Sequence, residues 1–124
     1  MEPYADEEYY TNEYQGVALP QEEVRRRLVK ASEHIHTLTF GRIHTVDDLT
    51  PYQQDVVKTC CCRLAEFEYE NEDVIESILQ SYAINGVSMN FGESWNVKVI
   101  NGIAMPRDIY SHLRTTGLCC RAVR

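Results

Sequence analysis

The most constraining feature of the sequence is an apolar stripe with helical spacing in the N-terminal third of the chain. Apolar residues recur there at steps of four and three positions, which places them on one face of an α-helix. Pro20 suits the first helical position and Gly41 suits the residue that closes the helix. The pattern predicts a long amphipathic helix over 20–38. Its stripe consists of Val24, Leu28, Ala31, Ile35 and Leu38.

A second long helix is predicted to begin after Thr50, which is a good N-cap, with Pro51 at the first helical position. Its apolar face is broader than that of the first helix and rich in small residues. Such a face is typical of a central helix that neighbours contact from several sides. The stripe is Tyr52, Val56, Cys60, Leu64 and Phe67, and Val57, Cys61 and Ala65 widen it.

After about residue 80 the apolar residues alternate with polar ones, which is the period of a β-strand. The alternation over 87–91 and 95–99 predicts a β-hairpin with a short loop at its tip. That tip consists of Gly92, Glu93 and Ser94, and Asn101-Gly102 marks a further turn.

A last helix is predicted over 106–115, with Pro106 first and Ile109 and Leu113 on its apolar side. Gly117 is placed as a left-handed C-cap, and Leu118 as the hydrophobic contact that accompanies such a cap. Near the other end of the chain, Asp6 could cap a short helix that Gly16 would end. The last eight residues, 117–124, form a tail that leaves the domain.

These elements predict a mostly α fold: a small helical bundle with one β-hairpin and an extended C-terminal tail. The bundle has two long helices, a short N-terminal helix and a C-terminal helix. At 124 residues the chain matches a single domain over 1–124. We expect no membrane helix, because no run approaches the ~18 apolar residues that a span requires, and an acidic N-terminus is unlike a signal peptide.

The charge of the chain is concentrated in its first 23 residues. They hold seven of the 19 acidic residues and no lysine or arginine, so twelve acids and twelve bases remain in residues 24–124. Residues 1–16 are also rich in tyrosine, and we call them the acidic arm. Its aromatic rings need a surface to bury them, either on their own domain or on a neighbour. They are Tyr4, Tyr9, Tyr10 and Tyr14.

A second acidic block lies at the far end of the second helix, and the C-terminus is basic. Opposite poles on a small domain suit head-to-tail contact with a copy of the chain or with a partner, although acidic blocks also serve solubility alone. Within the second block, Glu66, Glu70 and Asp73 are expected to share one helix face. The basic residues are Arg107, Arg114, Arg121 and Arg124, against Asp108.

The sequence carries no motif of a known catalytic or metal site, so we expect neither an enzyme nor a cofactor or metal. Consecutive residues on a helix point about 100° apart, so Cys60, Cys61 and Cys62 cannot converge on one ion. With Cys119 and Cys120 they are expected to be reduced, small apolar residues of a reducing compartment. His34 and His36 lie on nearly opposite helix faces and cannot chelate one ion.

Nucleic-acid binding is the main alternative among function classes. Arg25, Arg26 and Arg27 lie off the apolar stripe and are expected on the solvent face of the first helix. They could contact phosphates in a small helical DNA-binding or regulatory module. A net charge of −7 and a pI near 5.0 oppose general binding to nucleic acid.

An ordered series of short segments resembles a known protein family along nearly the whole chain. The chain is similar to the small head–tail connector, or adaptor, proteins of tailed bacteriophages with long non-contractile tails. The segments are Tyr9-Tyr10, Tyr14-Gln15-Gly16, Leu19-Pro20, Ala31-Ser32-Glu33, Leu38-Thr39-Phe40-Gly41-Arg42-Ile43, Val57-Lys58, Cys60-Cys61-Cys62-Arg63-Leu64-Ala65-Glu66, Tyr110, Leu113, Thr116-Gly117-Leu118 and Arg121-Ala122-Val123.

The resemblance implies a structural protein of the virion neck, made in the host cytoplasm. Such proteins form a twelve-membered ring between the portal and the stopper or tail-completion protein, and DNA passes through the ring without sequence-specific binding. The C-terminal segment of the family docks on the portal, a role that here would fall to Gly117, Leu118, Arg121, Val123 and Arg124.

Two further placements follow from charge and exposure rather than from the family motif. Like charge keeps DNA from adhering to a channel wall, so the acidic block is expected to face the channel. The hairpin tip is expected to meet the next ring of the neck. These residues are Glu66, Glu70 and Asp73 for the channel, and Gly92, Glu93 and Ser94 for the tip.

Overall fold

Helix α2, Pro51–Glu70, forms the centre of a mostly helical fold, as the sequence predicts. The structure, a computed structural model, describes residues 3–85, 97–100 and 103–119. The other helices and strands are α1 (Val24–Leu38), α3 (Glu72–Asn85), α4 (Arg107–Arg114), β1 (Val97–Ile100) and β2 (Ile103–Pro106). Short helical turns lie at Tyr9–Glu13 (π), Gln21–Glu23 and Val46–Asp48 (both 3₁₀).

The two predicted stripes are buried over most of their length, but Tyr52, the first residue of the α2 stripe, is 56% exposed. All five stripe residues of α1 are buried, and so are Val56, Cys60 and Leu64 of α2 together with the three residues that widen its stripe. The helical segment begins as predicted just after Pro20, but its first turn, Gln21–Glu23, is a 3₁₀ helix and Pro20 itself is extended. The first residue of α1 proper is therefore Val24.

The start of α2 is a complete capping box. The Thr50 hydroxyl accepts a hydrogen bond from the Gln53 backbone N–H at 3.1 Å, and the Gln53 side chain accepts one from the Thr50 N–H at 3.1 Å. Thr50 and Pro51 hold the positions that the sequence predicts. The reciprocal bond satisfies two helix donors that would otherwise lack partners.

The second helical stretch is interrupted at Asn71, which the sequence pattern did not predict. Asn71 has φ −123° and ψ 24°, and both its backbone N–H and its side-chain amide donate to the Phe67 carbonyl. Helix α3 starts at the next residue. The acidic block is consequently divided between the end of α2 and the start of α3. Within the described ranges, no helix is long and apolar enough to cross a membrane.

The structure describes a two-stranded hairpin whose first strand, β1, overlaps the strand predicted over 95–99. Strands β1 and β2 pair antiparallel, with Ile100 opposite Ile103 across Asn101-Gly102. Ile103, Ala104 and Met105 are all buried, so β2 is a core strand. The predicted tip at 92–94 and its first strand at 87–91 lie outside the described residues, as do Trp95 and Asn96.

Helix α4 follows β2 directly. Pro106 is extended and precedes the helix, so Arg107 rather than Pro106 is the first helical residue. Ile109 and Leu113 are buried, and Gly117 has φ +78°, which confirms the predicted left-handed cap.

Helix α1 ends in a Schellman-type turn with an unusual residue in it. The Gly41 N–H donates to the His36 carbonyl at 2.9 Å, and the Phe40 N–H donates to the Thr37 carbonyl at 3.1 Å. Both Phe40 and Gly41 have left-handed backbone angles, φ +57° and φ +69°. Gly41 closes the helix as predicted, but phenylalanine occupies the position where such turns usually place glycine. A bulky side chain at positive φ is strained.

This turn yields a paired stability prediction. Phe40→Gly removes the backbone strain, and this gain in stability offsets two losses. The losses are the packing of the ring and the greater conformational entropy that glycine gives the unfolded chain. We expect its free energy of unfolding to equal the wild-type value or exceed it by up to about 1 kcal/mol. Gly41→Ala, the matched control, should lose about 1 kcal/mol because alanine disfavours positive φ. Chemical denaturation measures both, and a clear loss in Phe40→Gly would contradict the strain.

Candidate functional site

The tyrosines of the acidic arm pack on their own domain. The sequence had left open whether they pack there or on a neighbouring chain. Tyr4 and Tyr10 are buried, and Tyr9 and Tyr14 pack partly buried against the core. The Tyr4 backbone N–H donates to Ser32 Oγ of α1 at 2.9 Å. Asp6 caps the short N-terminal helix as predicted, since its Oδ1 accepts from the Tyr9 N–H at 2.8 Å.

Glu66 of α2 fastens the far end of the arm. The Tyr10 hydroxyl donates to Glu66 Oε2 at 2.8 Å and the Tyr14 hydroxyl donates to Oε1 at 3.0 Å. The two rings stack with centroids 5.8 Å apart, and the Tyr10 hydroxyl accepts from the Leu19 N–H at 3.0 Å. Burial, assisted by the Glu66 carboxylate, raises the pKa of Tyr10 to about 12 and also raises the pKa of Tyr14.

Gly16, which is predicted to end the short helix, lies just beyond that helix and does not have a positive φ. The residue with positive φ after the short helix is Gln15, at φ +60°. Gly16 instead lies directly against the Tyr10 ring, where any Cβ atom would overlap the ring carbons. Glycine is required there because the backbone must approach the ring closely.

The three acidic residues predicted for the channel do not form one exposed cluster. Glu70 and Asp73 are exposed, one at the end of α2 and the other in the first turn of α3. Glu66 is half-buried and holds the two tyrosine hydroxyls.

The start of the predicted docking tail is anchored on the bundle. Arg42 Nη1 donates to the Leu118 carbonyl at 3.2 Å, and Gln53 Nε2 donates to the Thr116 carbonyl at 2.9 Å. Leu118 packs partly buried against the core, as predicted, while a Cβ at Gly117 would meet open space. The remaining predicted site residues lie outside the described part of the chain: Arg121, Val123 and Arg124 of the tail, and Gly92, Glu93 and Ser94 of the hairpin tip.

The arginine triplet is not a continuous exposed surface. Arg25 and Arg26 are exposed, but Arg27 is only 4% exposed, so its expected place on the solvent face is wrong. Arg27 Nη2 donates to Glu72 Oε2 at 3.0 Å, and the guanidinium lies 5.2 Å from the Tyr69 ring centroid. This hydrogen bond lowers the pKa of Glu72. The cause is positional, because Arg27 falls three residues after Val24 and therefore on the apolar face.

A second buried polar contact, also missed by the sequence analysis, joins His34 to Glu68. His34 Nδ1 lies 2.5 Å from Glu68 Oε2, and Glu68 is 7% exposed. Both residues line a cleft of about 380 Å³ with Arg27, Glu72 and residues of β2. Glu68 falls four residues after Leu64 and three after Ala65, so the helical period itself predicts its burial.

The three consecutive cysteines are buried, as expected for small core residues. Burial raises the pKa of the Cys60 thiol to about 12 and of the Cys61 thiol to about 11, and it also raises that of Cys62. A raised thiol pKa disfavours the nucleophilic thiolate. In the described ranges, no group of three or more histidine, cysteine, aspartate or glutamate residues could hold a metal ion.

Comparison of the chain with protein-family models, with curated protein sequences and with solved structures finds no match.

The buried Tyr10 hydroxyl predicts a pH-dependent difference between two proteins. At neutral pH, Tyr10→Phe should be less stable than wild type by about 1–2 kcal/mol, because hydrogen bonds to Glu66 and Leu19 are lost. The folded-state pKa lies above the ordinary value of 10.0 at about 12. The tyrosine therefore stabilises the fold fully below pH 10 and loses that effect toward pH 12.

The measurement is the free energy of unfolding of wild type and Tyr10→Phe by urea denaturation at a series of pH values. The difference between the two should narrow between pH 10 and pH 12. Ionising thiols affect both proteins equally and cancel in the difference. If the difference in free energy of unfolding between the two proteins stays constant through this range, the fold does not hold the Tyr10 hydroxyl in its protonated form.

Proposed function

We propose that this protein is a head–tail connector of a tailed bacteriophage, a structural component of the virion neck and not an enzyme. It would form a ring, most simply of twelve copies, between the portal and the stopper or tail-completion protein, and so extend the DNA channel. The observation that carries the proposal is the ordered series of family-like segments, from Tyr9-Tyr10 to Arg121-Ala122-Val123, along nearly the whole chain. A mostly helical bundle with a hairpin is compatible with that family.

The anchored beginning of the tail supports a docking role for residues 117–124. A docking segment benefits from a fixed start, because a segment whose first residues are already held in place loses less conformational entropy on binding than one that is free from its start. Arg42 and Gln53 hold the Leu118 and Thr116 carbonyls and supply that start. We assign portal contact to Gly117 and Leu118 and to Arg121, Val123 and Arg124 beyond them.

The acidic and hairpin residues take the remaining roles in the proposal. Exposed carboxylates repel DNA phosphates, so Glu70 and Asp73 suit a channel wall over which DNA slides. Glu66 is half-buried and its carboxylate accepts hydrogen bonds from two tyrosine hydroxyls, so it contributes less to that wall than the two exposed residues do. The hairpin tip, Gly92, Glu93 and Ser94, is assigned to the contact with the stopper.

The alternative is a small DNA-binding or regulatory module that uses Arg25, Arg26 and Arg27. Its basic surface is reduced, because Arg27 is buried against Glu72 and Arg26 pairs with Glu23. The net charge of −7 also weakens attraction to a duplex. These observations favour the connector.

The test is co-sedimentation with purified, DNA-filled phage capsids that carry portals. Full-length protein is compared with a version that ends at Thr116, after both are shown to have the same helical content and melting transition. We expect stoichiometric binding by the full-length protein and loss of binding on truncation, because the portal contact is in the tail.

Each other outcome changes the proposal in a defined way. Binding that survives truncation keeps the connector function but moves the portal contact to the helical body. No binding by either version, together with salt-dependent retention on duplex DNA, overturns the connector and favours the DNA-binding module.

A further inference from the structure

We propose that two exposed aromatic rings, Phe40 and Tyr52, belong to the surface on which the partner of the C-terminal tail docks. That partner would then contact the helical bundle as well as the tail. We call Phe40 and Tyr52 the exit rings, because both lie beside the point at which the tail leaves the bundle. The inference rests on the proposed function, in which the partner is the portal, and it adds a second part to the portal contact.

The exit rings stand out among the exposed apolar side chains of the described residues. In that part of the chain, four large hydrophobic side chains are exposed: Val17, Phe40, Tyr52 and Val74. Phe40 and Tyr52 are the two aromatic ones. Aromatic side chains are enriched in protein interfaces relative to the rest of the surface. Two exposed rings at one end of a small bundle therefore indicate a docking surface.

Tyr52 is exposed but held in place. It is 56% exposed in the first turn of α2, and its hydroxyl donates to Thr115 Oγ1 at 2.8 Å. Thr115 Oγ1 donates in turn to the His112 carbonyl of α4 at 2.6 Å. The polar end of the tyrosine is thus fixed while its ring stays open to solvent. A side chain that is already ordered loses less conformational entropy on binding, and tyrosine is among the residue types that dominate binding energy.

Phe40 is held in a strained backbone conformation. Its φ is +57°, whereas glycine would satisfy the same turn without strain. Because Phe40 is 45% exposed, its ring gains little burial within its own subunit. Residues in sparsely populated backbone conformations cluster at functional sites. A phenylalanine at this position therefore indicates a contact with a partner.

Hydrogen bonds place both rings beside the start of the tail. The Tyr52 hydroxyl is bound to Thr115, two residues before the tail begins. The Arg42 guanidinium lies 5.4 Å from the Phe40 ring centroid, and its Nη1 donates to the Leu118 carbonyl at 3.2 Å. The Phe40 ring centroid consequently lies within roughly 10 Å of that carbonyl.

A partner that binds the first residues of the tail comes close enough to cover the exit rings. Gly117 is exposed and Leu118 packs partly buried against the core, so a partner that contacts them approaches the end of the bundle itself. The Cα atoms of Thr115 and Leu118 are at most about 11 Å apart. A stable protein interface covers about 800 Å² on each partner, a patch wider than this separation. The tail and the rings therefore fit one continuous docking surface.

The experiment is co-sedimentation of the full-length chain with DNA-filled capsids that carry portals, over a range of protein concentrations. The quantity measured is the concentration that occupies half of the portal sites. We expect Tyr52→Ala and Phe40→Asn each to raise it at least tenfold. Asparagine is chosen because it tolerates positive φ and so keeps the turn. Each variant is first shown by circular dichroism to be folded at the assay temperature.

Val17→Ser is the matched control for the loss of an exposed apolar side chain. Val17 is 94% exposed and precedes the start of α1, whereas Phe40 follows the end of that helix. The 15 residues of α1 are roughly 22 Å long. Val17→Ser should therefore occupy portal sites at the wild-type concentration.

Tyr52→Phe separates the ring from its hydroxyl. This variant keeps the ring and removes the hydrogen bond to Thr115. If the ring itself contacts the portal, Tyr52→Phe should bind within threefold of wild type. A loss as large as that of Tyr52→Ala would show that Tyr52 acts only by steadying Thr115 before the tail, and it would overturn the contact of the ring.

Failure of this inference is distinguishable from failure of the connector function. If wild type binds capsids and Tyr52→Ala and Phe40→Asn bind equally well, the docking role of the exit rings is overturned and the connector function stays. If the two variants instead weaken self-association of the free protein in sedimentation equilibrium and leave capsid binding unchanged, the rings belong to a contact between copies, and the inference is again overturned. Wild type that does not bind capsids overturns the connector, and the portal contact of the rings with it.

Discussion

The fold depends on the burial of α2 on three sides, and its three consecutive cysteines show how this is arranged. Neighbouring side chains on a helix point about 100° apart, so each thiol faces a different element. Cys60 lies 3.8 Å from the Ile109 carbonyl of α4, and Cys61 lies 3.3 Å from Ser32 Oγ of α1. Cys62 lies on the same helix face as Thr59 and Glu66, whose side chains bind the hydroxyls of Tyr9 and Tyr10 in the arm. Small side chains allow all three neighbours to approach α2 closely.

The same arrangement explains why the acidic arm is part of the fold. The third side of α2 would expose apolar surface if the arm did not cover it. Tyr10 and Tyr14 complete the cover and direct their hydroxyls to Glu66 at its edge, so that the polar end of each buried ring is satisfied. The contacts of Glu66 therefore show a structural role: it attaches the arm to α2.

The parts of the fold that were predictable from sequence are those that local chemistry determines. The stripe of α1, the cap at Thr50, the apolar side of α4 and the left-handed Gly117 all depend on residues within a few positions of one another. The burial of Arg27 and Glu68 could also have been predicted, because the helical period places both on buried faces. Their charged side chains alone favoured exposure to solvent. Their partners Glu72 and His34 were not, since each contact joins different helices.

The candidate site divides in the same way. The turn at Gly117 and the packing of Leu118 follow from the sequence near α4, but the hydrogen bond from Arg42 spans 76 positions and required the folded chain to be seen. The hairpin predicted over 87–99 lies mostly outside the described residues, whereas the described strands β1 and β2 follow a signal that the sequence analysis read only as a further turn, Asn101-Gly102. That dipeptide is the strongest short-range indication of a two-residue turn, and strands β1 and β2 pair across it.

Native-state labelling of the thiols tests the central position of α2 most directly. The protein is exposed to a thiol-alkylating reagent without denaturant, and peptides are quantified by mass spectrometry over time. We expect Cys60, Cys61 and Cys62 to react only at the rate of global unfolding, and Cys119, which is only partly buried, to react faster. Labelling of the three α2 thiols as fast as Cys119 would contradict a core built around that helix.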